Sequence, residues 1–208
     1  MRIAFADMMF SWPPHGVGDV DMFHVLRGAA GMGHEVRLFA VRDGDAWERG
    51  RITGDLPFPA ETLVFSGDEL TGPRAAERFR AAVDAWNPDA VFVGQGFLMK
   101  PYLLAALGEW PLVSRYHAHE AACLRDITRF LDGAPCPNAF LDTPDTCRDC
   151  SLRRWGAAIR NGETNAWLRE YLGAACWKPD YAVLVRQALA CVRVALVSTE
   201  SMAAALGG

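Results

Sequence analysis

Three stretches of this chain hold residue types that do chemistry. The first is Pro13-Pro14-His15-Gly16-Val17-Gly18-Asp19. Glycines let a backbone approach a phosphate closely, and a helix N-terminus attracts an anion. The Gly-x-Gly here lacks the third glycine of a dinucleotide fingerprint, and no Walker lysine follows. Asp19 at the cap would repel a phosphate, so a plain turn into a helix is the competing reading. The second stretch is Tyr116-His117-Ala118-His119-Glu120. Imidazoles there suit hydrogen bonding to a hydroxyl, acid–base work or metal ligation, against a purely structural role. His119 and Glu120 cannot both point the way His117 does if strand geometry continues. The third is Cys123, Cys136, Cys147 and Cys150, the last two as Cys-x-x-Cys. That spacing lets one turn present two thiolates to a tetrahedral ion, and four soft ligands suit zinc or iron–sulfur. Free thiols, disulfides and redox chemistry remain open beside it.

Other reactive-looking residues have plainer readings. Met8, Met9 and Phe10 are expected to pack beside the first loop. Trp86, Trp110 and Trp167 read as packing residues rather than sugar platforms. Trp12, within the glycine-containing loop, is the tryptophan expected to touch a ligand. Cys176 and Cys191 lie in apolar runs and read as core. Glu200 reads as a helix-capping or hinge residue.

The elements that must position these groups alternate. Arg2–Asp7 is a short apolar run of the kind found in buried parallel strands. From Asp19 to Gly31, Val20, Phe23, Leu26 and Ala30 recur at helical spacing, with Asp19 as cap. Glu35–Val41 and Glu61–Phe65 read as strands. Pro73–Trp86 reads as a helix stopped by Asn87-Pro88. Asp89–Val93 is a strand, Gly94-Gln95-Gly96 a turn, Phe97–Leu107 a helix and Pro111–Tyr116 a strand. Residues 118–150 break the pattern, with four cysteines, three prolines and no sustained period. Helices over Ser151–Gly173 and Asp180–Cys191 follow, then a strand over Val192–Val197 and a short helix ending in glycine. The expected fold is α/β: a Rossmann-like parallel sheet with helices on both faces, plus a cysteine-rich insertion over 118–150 after a central strand. Ligands bind such sheets at the C-terminal edge of the strands, where both the first loop and the insertion fall. Residues 1–208 are expected to form one such domain with nothing after it, so that one wall of an active site is present and the other is missing.

Composition narrows the function classes. The 208 residues carry 21 Lys and Arg against 25 Asp and Glu, a net charge of −4 with no basic run. This argues against a nucleic-acid partner. No apolar stretch reaches about 18 residues, so no transmembrane helix is expected. Met1 runs straight into a strand with no signal-peptide pattern, which makes the cytoplasm the expected location. Six cysteines there read as free, metal-bound or catalytic rather than as a disulfide framework.

In their order, several of these pieces resemble the N-terminal domain of retaining family 4 glycosyltransferases, which have the two-domain GT-B fold. They are Met1-Arg-Ile-Ala-Phe leading into Pro13–Gly18, Gly31-Met-Gly-His-Glu-Val36, and Asn87-Pro-Asp-Ala-Val91. Pro111-Leu-Val-Ser-Arg-Tyr-His117 and Ala195-Leu-Val-Ser-Thr-Glu-Ser201 complete the set. The resemblance implies an acceptor-binding domain that works with a C-terminal donor-binding domain of the same protein. The pair would move a sugar from a nucleotide-sugar donor to a sugar or small-molecule acceptor. It implies donor-phosphate or substrate contacts at Gly16 and Gly18, with Trp12, His15 and His119 nearby. It implies that His117 contacts the donor sugar and stabilises the transition state. The family often has aspartate after that histidine, where this chain has Ala118. Some members carry a cysteine cluster near the position of Cys123, which supports reading Cys123, Cys136, Cys147 and Cys150 as one unit; the spacing itself is what suggests a structural zinc there. The family's Glu-x₇-Glu pair belongs to the second domain and has no place here. A non-catalytic, zinc-stabilised α/β binding module is the alternative. A dehydrogenase-type dinucleotide domain is weaker, since only Asp43 lies near the end of strand two.

Overall fold

The computed structural model describes residues 1–44, 49–131 and 133–206. The closing glycines 207 and 208 lie outside the described residues. Among the described residues the strands and α-helices run β1 (Arg2–Asp7), α1 (Val17–Gly31), β2 (Glu35–Asp43), β3 (Ala60–Phe65), α2 (Gly72–Trp86), β4 (Ala90–Val93), α3 (Lys100–Ala106), β5 (Leu112–Tyr116), β6 (Phe130–Leu131), β7 (Ala134–Pro135), α4 (Pro144–Arg160), α5 (Ala166–Gly173), α6 (Tyr181–Ala190), β8 (Val194–Val197) and α7 (Glu200–Ala205). Six strands form one parallel sheet in the order β3-β2-β1-β4-β5-β8, and β6 with β7 forms a small antiparallel hairpin. The chain is therefore an α/β, Rossmann-like domain.

The central strands read as continuous apolar runs because both faces are covered. Their side chains still alternate between two cores. Ala4, Ala6, Phe39, Val41, Val91 and Val93 enter one cluster, with Phe79, Val83, Leu103 and Leu104 from the helices. Phe5, Leu38, Ala40 and Phe92 enter the other, against Met22 and Leu26 of α1. The first core is the larger, since α2, α3, α5 and α6 all contribute to it.

Helix ends follow local chemistry. Thr71 caps α2 by accepting from Arg74 N, Pro73 occupies its first turn, and Asn87 ends it at φ 52° before Pro88. Asn165 caps α5 through Leu168 N at 2.9 Å, and Thr199 caps α7 through Met202 N at 3.2 Å. Two expectations need correction. The single helix expected over Ser151–Gly173 is two helices, because Gly162 at φ 68° breaks the chain before the Asn165 cap. The irregular stretch ends earlier than residue 150: α4 starts at Pro144, so Cys147 and Cys150 sit in its first two turns.

The sheet order reverses direction between β1 and β4. The loop after β1 and the turn after β4 thus lie side by side at the C-terminal edge, where a crevice forms.

Candidate functional site

Asp7 joins the two sides of that crevice. It ends β1, is fully buried, and accepts hydrogen bonds from Met9 N and Phe10 N at 2.8 Å each. Its second oxygen accepts from Gln95 N at 2.9 Å, across to the β4 turn. Burial raises its pKa to about 7, against the lowering effect of these amides. Gly94 has to be glycine here, because a Cβ would stand 2.4 Å from Asp7 Oδ2.

Asp19 organises the first loop. From the third position of α1 its carboxylate accepts His15 N at 2.8 Å and Gly16 N at 3.1 Å. Ser11 N and Gln95 Nε2 complete the set at 3.2 and 3.4 Å. The amides that would greet an anion at this helix start are turned onto Asp19 instead. Gly16, not Asp19, takes the N-cap position, and the space beside its Cα is open. Gly18 lies under Gln95, whose Oε1 would be 2.1 Å from an added Cβ.

A cavity of about 310 Å³ opens against these loops. The β1 loop contributes Met9, His15, Gly16 and Asp19, and the β4 turn contributes Gln95 and Phe97. Arg49 closes one side. Asn165, Trp167 and Glu170, at the start of α5, close the other. Phe97 is held at φ 42°, a conformation that a bulky side chain rarely adopts, and its ring meets Trp167 edge-on at 4.4 Å. Arg49 Nη2 stands 2.5 Å from Glu170 Oε1, and both side chains are almost wholly buried. This pair also lines a second cavity of about 240 Å³ with Asp43 and Arg169, which form an ion pair of their own at 3.2 Å. The carboxylate that a dinucleotide's ribose would need at the end of β2 is thus engaged by Arg169.

His117 lies just beyond β5. Its Nε2 is 3.6 Å from Asp21 Oδ2 on α1, and Arg115 Nε shares that carboxylate at 3.2 Å. Burial pushes the imidazole below its ordinary value, opposed by the Asp21 charge and reinforced by Arg115. The loop that carries it is anchored by a buried ion pair. Lys100 Nζ reaches Glu120 Oε1 at 2.8 Å and the Arg115 carbonyl at 2.5 Å, over the Tyr116 ring.

The structure thus gathers some predicted residues and separates others. His15 and Gly16 line the cavity. Trp12 stacks on Phe23 at 4.1 Å, on the α1 side, and does not line it. His117 stands apart, with Asp21. His119 lies in the segment after β5, its amide bonded to Ile127 O and its Nδ1 buried without a hydrogen-bond partner among the described residues. Burial, then Arg129, lowers its pKa.

The metal reading of Cys123, Cys136, Cys147 and Cys150 finds no support. All six cysteines are free thiols. The four lie near enough that Cys147, raised first by burial, is raised further by the charges of the other three. Yet Cys123 Sγ accepts Asp126 N at 3.3 Å and Cys147 Sγ meets Thr143 Oγ1 at 3.8 Å. Among the described residues, no group of three His, Cys, Asp or Glu side chains is placed to hold a metal ion.

Sequence reasoning did not find Asp7, Arg49, Gln95, Phe97, Lys100 or Glu170, and it assigned Trp167 to packing. Two carried a signal: an acid closing an apolar strand, and a lysine opening an apolar helix. Arg49 and Glu170 carried none, since each looks like surface until its partner is placed.

Among the described residues no helix is long and apolar enough to cross a membrane. No curated protein matches the chain. The family model described as a glycosyl transferase 4-like domain matches residues 19–208, from within the first turn of α1 onward. The chain belongs to the glycosyl transferase 4-like domain family.

Proposed function

We propose that this glycosyltransferase module is the acceptor-side, N-terminal domain of a retaining, nucleotide-sugar-dependent enzyme of the cytoplasm. In this reading it works against a C-terminal donor-binding domain of the same protein and is inactive without it. The observation that carries the proposal is the family match over a domain whose crevice lies at the β1/β4 reversal. Gly16, with open space beside it, lets a substrate come close to the backbone of the loop. Asp19 meanwhile holds the inner amides in place. Gly18 lets Gln95 seat against that loop. Trp12 shapes the loop from behind, through its stack on Phe23, and His15 lines the cavity beside it.

His117 is the residue proposed to meet the donor sugar. Asp21 orients the ring, and burial keeps it neutral near pH 7, so it can donate to or accept from a hydroxyl. The rate enhancement would come from positioning two substrates and from stabilising charge as the diphosphate departs. His117→Ala in the enzyme joined to its donor domain should lower kcat by about 100-fold with folding unchanged, the size expected when one transition-state contact is lost. The measurement is nucleoside diphosphate release across a panel of nucleotide sugars. Unchanged turnover in the variant would remove His117 from the mechanism. Turnover with no donor in the panel would reject the proposal as a whole.

A further inference from the structure

The cavity between the β1 loop and α5 has a chemistry of its own. Glu170 is 1% exposed and its Oε1 is paired with Arg49 at 2.5 Å, which leaves Oε2 with no hydrogen-bond donor among the described residues. A buried acceptor left without a donor is costly, and a ligand hydroxyl would relieve that cost. Charge limits what the ligand can be. Asp19, Glu170 and the neighbouring Asp43 face Arg49 and Arg169, one negative charge in excess among the described residues. The nearby loop amides already serve Asp19. An incoming anion would find two carboxylates and no free backbone donors at His15 or Gly16.

Shape supplies the third constraint. Trp167 and Phe97 give the cavity an aromatic wall, and the strained backbone at Phe97 is kept in the arrangement that presents it. Apolar walls with a few convergent polar groups are what small-ligand pockets require. A pyranose ring matches both features, with C–H groups on its face and hydroxyls along its edge. A volume of about 310 Å³ holds one such ring with its aglycone.

We infer that this cavity binds the acceptor as a neutral, hydroxyl-bearing sugar ring, with its face on Trp167 and an edge hydroxyl on the Arg49–Glu170 pair. This rests on the acceptor-side reading above and adds the class of acceptor and the residues that select it. Asp19 and Glu170 together reject uronates and phosphorylated sugars, and Trp167 rejects open-chain polyols.

The test is direct binding to this chain, which needs no turnover. Neutral methyl hexopyranosides and the matching methyl hexuronides are titrated by saturation-transfer NMR. Neutral glycosides should saturate, and hexuronides should bind about tenfold more weakly, the scale of one uncompensated charge. Trp167→Ala should weaken the neutral ligand by about tenfold. Glu170→Gln, similar in volume but uncharged, should narrow the gap between the two ligand classes. Tighter binding of the hexuronide to the unaltered chain would overturn the inference. So would a Trp167→Ala chain, folded by circular dichroism, that binds as before. If Glu170→Gln does not fold, the hexuronide comparison and Trp167→Ala still decide. Glycoside binding that persists while no nucleotide sugar is turned over would reject the proposed function alone. Transfer with an unchanged acceptor KM in Trp167→Ala would reject this inference alone.

Discussion

Asp7 shows how one buried carboxyl can organise a site from beneath. Its three backbone partners come from two loops that meet only in the folded chain. Because burial raises its pKa from 3.8 to about 7, the folded chain keeps this proton after the unfolded chain has released it. The stability that results is complete below pH 3.8 and is lost as pH rises to about 7, by up to about 4 kcal/mol. Asp7→Asn cannot titrate, so its unfolding free energy should lack that decline. Urea unfolding at several pH values should show wild type losing stability relative to Asp7→Asn between about pH 4 and pH 7. A constant difference would mean that Asp7 titrates in its usual range. The amide of asparagine also turns an N–H toward one of the three donors. At pH 7 the variant should therefore leave a backbone N–H unpaired, at about 1–3 kcal/mol.

At the scale of elements, the loops of the site are held by a few buried polar contacts between neighbouring strands and helices. Lys100 opens α3 and is 1% exposed, and its ammonium fastens the segment after β5 through Glu120 and the Arg115 carbonyl. Removing one partner of such a pair strands the other, which costs about 3–5 kcal/mol. Lys100→Met should therefore lower the melting temperature by roughly 10 °C, given about 2–4 °C per kcal/mol for a chain of this size. Adding Glu120→Gln to that variant should recover part of the loss, since the stranded charge is then gone. An unchanged melting temperature in Lys100→Met would mean that the pair holds nothing. Further along, Trp155 Nε1 donates to Leu124 O at 3.1 Å and ties α4 to the segment after β5. The pattern of apolar residues announces neither contact, because both depend on elements that are distant in sequence.

Across the whole molecule, the later half of the chain is clamped onto the sheet layer by two tyrosines. Tyr181 donates to the Leu98 carbonyl at 2.6 Å over 83 positions, and Tyr102 donates to the Ala174 carbonyl at 2.8 Å over 72. Both hydroxyls are held well above the ordinary tyrosine value, chiefly by burial, so they stay donors throughout the working pH range. The Leu98 carbonyl belongs to the turn that presents Phe97, so this clamp also braces the cavity wall. Tyr181→Phe leaves that carbonyl buried without its donor. It should destabilise the chain by about 1–3 kcal/mol, read from thermal or urea unfolding. It should also weaken glycoside binding at the cavity, whereas Tyr102→Phe should change stability with little effect on binding. Equal effects of the two variants on binding would separate the clamp from the site.

The alternation of apolar runs and helical periods determined the parallel α/β class by itself. Burying both faces of a strand or one face of a helix leaves a mark in a contiguous segment. Helix stops such as Asn87-Pro88 were legible for the same reason. His15 and Gly16 were placed at the C-terminal edge of the sheet because strand ends are local too, and the family resemblance drew on that same local order. The Cys-x-x-Cys spacing was equally local, but it could not show that both thiols ride on a helix, where the four sulfurs gather without a ligand geometry. Only the tertiary structure decided the cavity. Arg49, Gln95, Trp167 and Glu170 come from segments up to 121 positions apart. Their burial, charge balance and unmet hydrogen bonds exist only once the crossover at β1 and β4 has brought them to one sheet edge. A charged side chain in a short segment reads as solvated surface until its partner is known, and no pattern within a single element names that partner.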